Sequence, residues 1–135
     1  MKTKKRIGKE TLLVDDNGLK YVEFESLKKY EDRLIHLMST RIGGVSSGEC
    51  ATLNLSFKRR DSRENVIENY TRICKSTGID IESIVISDQV HGTVVKEVGT
   101  EDRGKNFTAV QSDIKGVDGL ITVSRDVTLV THYAD

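Results

Sequence analysis

The sequence predicts an α/β to α+β fold, with mixed β-sheets and flanking helices, and three observations carry that expectation. Short β-branched and apolar runs recur between turn-forming residues. Only residues 61–77 show a clear helical period. The chain has 135 residues with 36% hydrophobic content and no shift in composition, which suits one domain, or part of one, with a modest core.

The first ten residues carry Lys2, Lys4, Lys5, Arg6 and Lys9. A cluster of charge at a chain end reads as a solvated tail, and no function is assigned to it. Residues 11–15 and 19–24 are apolar-rich runs separated by Asp16-Asn17-Gly18. Asn-Gly tolerates the positive φ angles of a tight turn, so a β-hairpin is expected here. Residues 34–38 read as a further strand with His36 at its centre, where a satisfied core histidine is the expectation rather than a ligand.

In the helical segment, Val66, Ile67, Tyr70, Ile73 and Cys74 recur at three- and four-residue spacing. Asp61 and Glu64 fit a capping pair, Gly78 can close the helix, and Cys74 is expected to face the core as a small apolar group. Residues 84–86, 94–98, 120–123 and 127–130 then read as strands. Residues 99–117 form a polar connection expected to be mobile. The chain stops at Tyr133-Ala134-Asp135 within an apolar run and without a polar tail, from which a fragment of a longer protein is expected.

Composition removes several function classes. Lysine plus arginine and aspartate plus glutamate both number 21, so no global field attracts nucleic acid or an anionic membrane. No apolar run approaches the roughly 20 residues of a membrane span, and MKTKKRIGKE lacks the apolar segment of a secretory signal, so a cytoplasmic protein is expected. Cys50 and Cys74 match neither a close-spaced metal pair nor a disulfide framework, and two reduced thiols are expected.

Two stretches stand out chemically. Thr40-Arg41-Ile42-Gly43-Gly44-Val45-Ser46-Ser47 combines a planar guanidinium with adjacent glycines whose amides can approach an anion. It has neither the spacing nor the setting of a Walker loop or a dinucleotide fingerprint, and a turn in which the glycines serve only geometry competes with the anion site. The second stretch, Ser87-Asp88-Gln89-Val90-His91-Gly92-Thr93, places an imidazole beside a glycine between two apolar runs, with Gln89 able to orient a ring nitrogen. By itself such a histidine is more often structural than functional. Asp118, just before a strand, is either a turn-former or a carboxylate that binds a ligand or orients a histidine. His132 and Asp135 lie three apart, which puts them on opposite faces of a strand.

Taken together, Ser39-Thr40-Arg41-Ile42-Gly43-Gly44-Val45-Ser46, Thr52-Leu53-Asn54-Leu55, Asp61, Asn69, Gln89-Val90-His91-Gly92, Asp118 and Ala134-Asp135 resemble the laccase-domain family, also described as polyphenol oxidoreductases and purine nucleoside phosphorylases. The resemblance implies an αββα-type single domain about twice this length, of which residues 1–135 would be the N-terminal portion. It implies a zinc site built from the histidine of the Gln-Val-His-Gly motif, here His91, a cysteine following the Ala-Asp pair, and a histidine in a later His-Ala-Gly-Trp-Arg-Gly segment. Only His91 matches within these residues, so alone they are expected to bind no zinc specifically and to be inactive. Tyr70 and Tyr133 stand where many relatives carry arginine and threonine.

The activity implied is phosphorolysis of purine nucleosides, with adenosine deamination as a companion. The partners would be a purine nucleoside and phosphate. Arg41 would take the phosphate and His91 the zinc, Asp118 or Asp135 would orient a ligand or accept a proton, and Gly43, Gly44, Ser46, Asn54 and Gln89 would line the substrate. Copper-dependent phenol oxidation ranks lower, since it needs clustered histidines and the chain has three without a close-spaced pair. A non-catalytic binding or structural module is the remaining alternative.

Overall fold

The computed structural model describes residues 1–108 and 114–133, and the chain divides into two compact units, Met1–Gly78 and Ile79–Asp135. The first unit is an antiparallel sheet of β1 (Lys2–Arg6), β2 (Thr11–Asp16), β3 (Leu19–Phe24) and β4 (Met38–Ser39), in that order, with one helix, α1 (Arg63–Thr77). The predicted hairpin is present: Asn17 (φ 53°) and Gly18 (φ 93°) are both left-handed, and the Gly18 N–H donates to Asp15 Oδ1 at 2.8 Å. Two successive positive φ angles match the right-handed twist of the flanking strands, which is why Asn-Gly serves here.

The basic start of the chain is not a solvated tail. Residues Lys2–Arg6 pair in register along β2, from Lys2 opposite Asp16 to Arg6 opposite Leu12. All five stay exposed, with Lys4 reaching Glu23 and Arg6 reaching Glu25. Lysines on an outer strand discourage pairing with other chains, so the charge that suggested a tail is compatible with an edge strand.

The strand expected over residues 34–38 shrinks to Met38–Ser39, which pair with Val22 and Tyr21. Two positions further in that register, Phe24 would stand opposite His36. Instead the imidazole itself takes the ladder position: His36 Nε2 accepts the Phe24 N–H at 2.8 Å, and the two rings stack 6.0 Å apart. His36 is half-buried and satisfied, but outside any strand.

Helix α1 is capped one residue later than the sequence suggested, by Ser62, whose Oγ accepts the Asn65 N–H at 3.1 Å. Gly78 closes it in the left-handed conformation with φ 79°. Its inner face buries Val66, Asn69, Tyr70, Ile73 and Cys74, and Ile73 joins Val14, Leu19, Tyr21 and Leu53 in the core. Cys50 and Cys74 are both free thiols, the latter buried as expected.

The second unit contains two parallel pairs, β5 (Ile84–Ile86) with β8 (Thr128–Val130) and β6 (Val95–Glu97) with β7 (Gly119–Ile121). Its core is Val85, Val98, Ile114 and Val117, with Leu120, Val127 and Leu129 against it. The connection after β6 was expected to be mobile, yet its first part is built into the unit. Phe107 and Asp102 are buried, and Asn106 donates to the carbonyls of Ile86 (2.8 Å) and Ile114 (3.1 Å). Asn106 thus satisfies backbone carbonyls of the unit, one of them at the end of β5, rather than facing solvent. An antiparallel sheet with one helix, followed by short parallel pairs, is an α+β arrangement.

Candidate functional site

In the first unit, the glycine-rich loop has most of its donors committed. Gly43 (φ 105°) lies so close to β3 that a Cβ would sit 2.4 Å from Leu19 Cα; at Gly44 it would sit 2.1 Å from the Thr52 carbonyl oxygen. The N–H groups of Gly43 and Gly44 donate to Thr52 Oγ1 at 3.1 and 3.3 Å, and that of Val45 donates to Asn69 Oδ1 at 2.9 Å. The amides that suggested an anion cradle are therefore internally satisfied, and the glycines are required by backbone approach. Opposite them, the Ala51–Thr52 peptide is cis.

Ser46 and Asn54, expected to line the substrate, meet in a polar network under the loop. Ser46 Oγ donates to Asp61 Oδ2 at 2.6 Å, and Asn54 Nδ2 donates to the same oxygen at 3.0 Å. Asn69 is fully buried and donates to Ser46 Oγ at 2.9 Å and to the Asn54 carbonyl at 2.8 Å. Hydrogen bonds from Ser46, Asn54 and Asn65 hold the Asp61 carboxyl down at about 2. Tyr70 is buried and donates to the Leu55 carbonyl at 2.9 Å, a structural use of the position where the resemblance led one to expect arginine.

Arg41 is the exposed cation of this loop. Its Nε and Nη2 donate to the Ala51 carbonyl at 2.9 and 2.7 Å, which fixes the plane of the guanidinium without using Nη1.

In the second unit, residues 88–92 form an elbow after β5. Gln89 does not orient His91. Its side-chain amide pairs with the backbone of His132, donating to the carbonyl and accepting the N–H, both at 2.9 Å, as a neighbouring strand would. This extends the β5–β8 pairing beyond the Ser87 N–H to Val130 carbonyl bond.

His91 is exposed and has φ 60°, a left-handed conformation uncommon for a residue with a Cβ. Its neighbour Gly92 has no such requirement, and a Cβ there would make only ordinary contact, 3.4 Å from Asp118 Oδ1. The strain thus sits on the histidine. Asp118, just before β7, faces the elbow: Oδ1 accepts the N–H groups of Val90 (3.0 Å) and Gly92 (2.9 Å), and Oδ2 accepts that of His91 (2.9 Å). These amides hold the Asp118 carboxyl below the usual carboxylate range.

Asp88 was not among the expected site residues, yet it returns the contact. Its Oδ2 accepts the Gly116 N–H at 2.8 Å and its carbonyl accepts the Val117 N–H at 2.9 Å. The sequence signal for this lacing is an aspartate in each of two short polar gaps. Asp135 lies outside the described residues, so its pairing with His132 is untouched by the structure.

Within the described residues the donor set does not make a zinc centre. No three His, Cys, Asp or Glu side chains are grouped to hold a metal ion, and both oxygens of the Asp118 carboxylate are occupied by amides. One imidazole is a third of the usual protein ligand set. No helix among the described residues is long and apolar enough to cross a membrane.

Comparison with known proteins gives these loops a context. Purine nucleoside phosphorylase YlmD of Geobacillus stearothermophilus is 34% identical over 98 residues, covering 73% of this chain and 36% of the relative. The protein of the same name from Bacillus subtilis is 32% identical, covering 72% of this chain and 35% of the relative. The chain therefore spans little more than a third of the length of these curated relatives. The crystal structure of YlmD from Geobacillus stearothermophilus superposes with a TM-score of 0.79 at 28% identity, over 90% of this chain and 43% of that one. A Bacillus licheniformis hypothetical protein, YfiH, shares the fold with a TM-score of 0.76 at 22% identity, over 98% of this chain and 44% of that one. Residues 35–135 match the family model described as multi-copper polyphenol oxidoreductase laccase, and the chain belongs to that family.

Proposed function

We propose that this family member acts as a purine nucleoside phosphorylase, with these 135 residues contributing part of the site. The observation that carries the reading is His91: an exposed imidazole on a left-handed, carboxylate-anchored elbow, in a chain whose curated relatives are named purine nucleoside phosphorylases. A fold has little reason to keep a side chain at a strained, exposed backbone position unless the side chain is used.

In the reaction, a phosphate oxygen attacks the anomeric carbon of the ribose as the N-glycosidic bond breaks. The bonding pair leaves on the purine nitrogen, which is protonated, and the products are the free base and ribose 1-phosphate. The sugar passes through an oxocarbenium-like state, so catalysis rests on holding the anionic nucleophile in line and stabilising charge on the departing base. Arg41 is assigned to the phosphate, through the Nη1 group that its bond to Ala51 leaves available. His91 is assigned as a donor to a zinc ion, which would supply Lewis-acid chemistry at the site when bound. Multi-copper oxidation fits these residues less well: there are three histidines, and a ring nitrogen of His36 is bound to the Phe24 amide.

The test is release of free base from inosine and adenosine by the whole protein, followed by chromatography with and without phosphate. Phosphate-dependent release is expected, falling at least about a hundredfold in His91→Ala. No phosphate-dependent release from either nucleoside overturns the reading, and phosphate-independent conversion of adenosine to inosine would reveal the companion deamination. Residues 1–135 alone are expected to release no base.

A further inference from the structure

We infer that Asp118 is a positioning residue, which holds His91 in its left-handed conformation by accepting three successive backbone N–H groups and so fixes the direction in which the imidazole stands out. The inference rests on the reading of His91 as the functional group of the elbow.

The geometry is specific. Successive amides normally point in different directions along an extended chain. Those of Val90, His91 and Gly92 instead converge on one carboxylate, at 3.0, 2.9 and 2.9 Å. Such convergence produces a concave nest of N–H groups and requires a left-handed residue within it, here His91 at φ 60°. A nest of this kind ordinarily captures a ligand anion, whereas this one is filled by the protein's own side chain.

The carboxylate is itself anchored. The Asp118 N–H donates to the Val94 carbonyl at 3.1 Å and Gly119 begins the strand paired with β6, so the acceptor stands on the sheet. The return contacts from Asp88 to Gly116 and Val117 close the lacing from the other side, so neither loop can shift without the other. A functional side chain held through its backbone keeps its ring free for a ligand, which a hydrogen bond to the ring would not.

The test is nuclear magnetic resonance of the whole protein carrying Asp118→Asn or Asp118→Ala. The Asn variant keeps the shape of the side chain but replaces one acceptor oxygen by a donor; the Ala variant removes both acceptors. The His91 Cα and Cβ shifts should leave the left-handed range, and exchange of the His91 and Gly92 amides should rise about tenfold or more. The amides of Val85, Ile86 and Val98 should keep their protection. Unchanged His91 shifts and exchange in Asp118→Ala overturn the inference. Loss of protection across the second unit in both variants also overturns it, because Asp118 would then belong to the fold rather than to the elbow. In phosphorolysis assays of the whole protein, positioning predicts a lower kcat with KM within about twofold. The resonance experiment needs no activity, so failure of the positioning is distinguished from failure of the phosphorylase reading.

Discussion

The two loops that attracted attention in the sequence use glycine in opposite ways. In the first unit, Gly43 and Gly44 are enforced by backbone atoms of Leu19, Thr52 and Leu53 within 3 Å of where a Cβ would be. Their amides are spent on Thr52. In the second unit, Gly92 has room for a side chain, while the residue before it, His91, carries the positive φ. A glycine pair therefore marks close packing in one loop. In the other, a non-glycine residue occupies the region that favours glycine and is held there through its backbone by Asp118.

The largest effect that sharpens this contrast is at Gly44. Gly44→Ala places a methyl carbon 2.1 Å from the Thr52 carbonyl oxygen and 2.6 Å from Leu53 Cα, both backbone atoms that cannot rotate away. A loss of about 3 kcal/mol is expected, measured as a lower urea midpoint. Gly92→Ala should cost under about 1 kcal/mol in the same assay, since its contacts are ordinary. Equal losses at the two positions would erase the distinction.

Next comes Asn69, whose side chain joins the loop to the Ser46, Asn54 and Asp61 network. It makes three bonds while fully buried, so Asn69→Ala leaves the Val45 N–H unpaired and opens a void. About 2 kcal/mol is expected, again by denaturant unfolding. An effect near zero would mean that the loop is held by the glycine contacts alone.

Asp61 offers a pH-dependent version of the same test. Its carboxyl is held at about 2 in the folded chain against an ordinary 3.8, chiefly by Ser46 and then by Asn54 and Asn65. A lowered folded value stabilises the ionised native state. The contribution is therefore complete above about 3.8 and lost as pH falls toward 2. Wild-type stability should decline through that window, and Asp61→Asn should flatten the decline. An identical acid profile in the variant would show that the carboxylate does not hold the network.

Much of the fold was legible because it follows local rules. The Asn17-Gly18 turn, the period of α1 and the β-branched strands each announce themselves within a few residues. What failed did so where a distant partner decides. Nothing in Lys2–Arg6 shows that β2 offers an open ladder, and nothing near His36 shows that its ring will replace a backbone partner of Phe24. The site was legible in part for the same reason. His91 was visible as an odd imidazole in a polar gap, but its geometry depends on Asp118, 27 residues away, and the capture of Gln89 by His132 spans 43. Side-chain to backbone bonds over such separations leave no periodic trace in the sequence.

The smallest expected stability effect bears most directly on why a histidine stands at position 91. If the left-handed conformation is kept for the sake of the imidazole, His91→Gly should relieve strain at φ 60° while giving up only the entropy that glycine loses on folding. The three bonds to Asp118 are unaffected, since they use the backbone. A gain of about 0.5–1 kcal/mol is therefore expected, together with loss of any base-releasing activity of the whole protein. The two readouts move in opposite directions only if the residue serves function at the expense of the fold. A variant that loses stability would show instead that the His91 ring packs to the benefit of the elbow, and the contrast with Gly44 would then be one of degree.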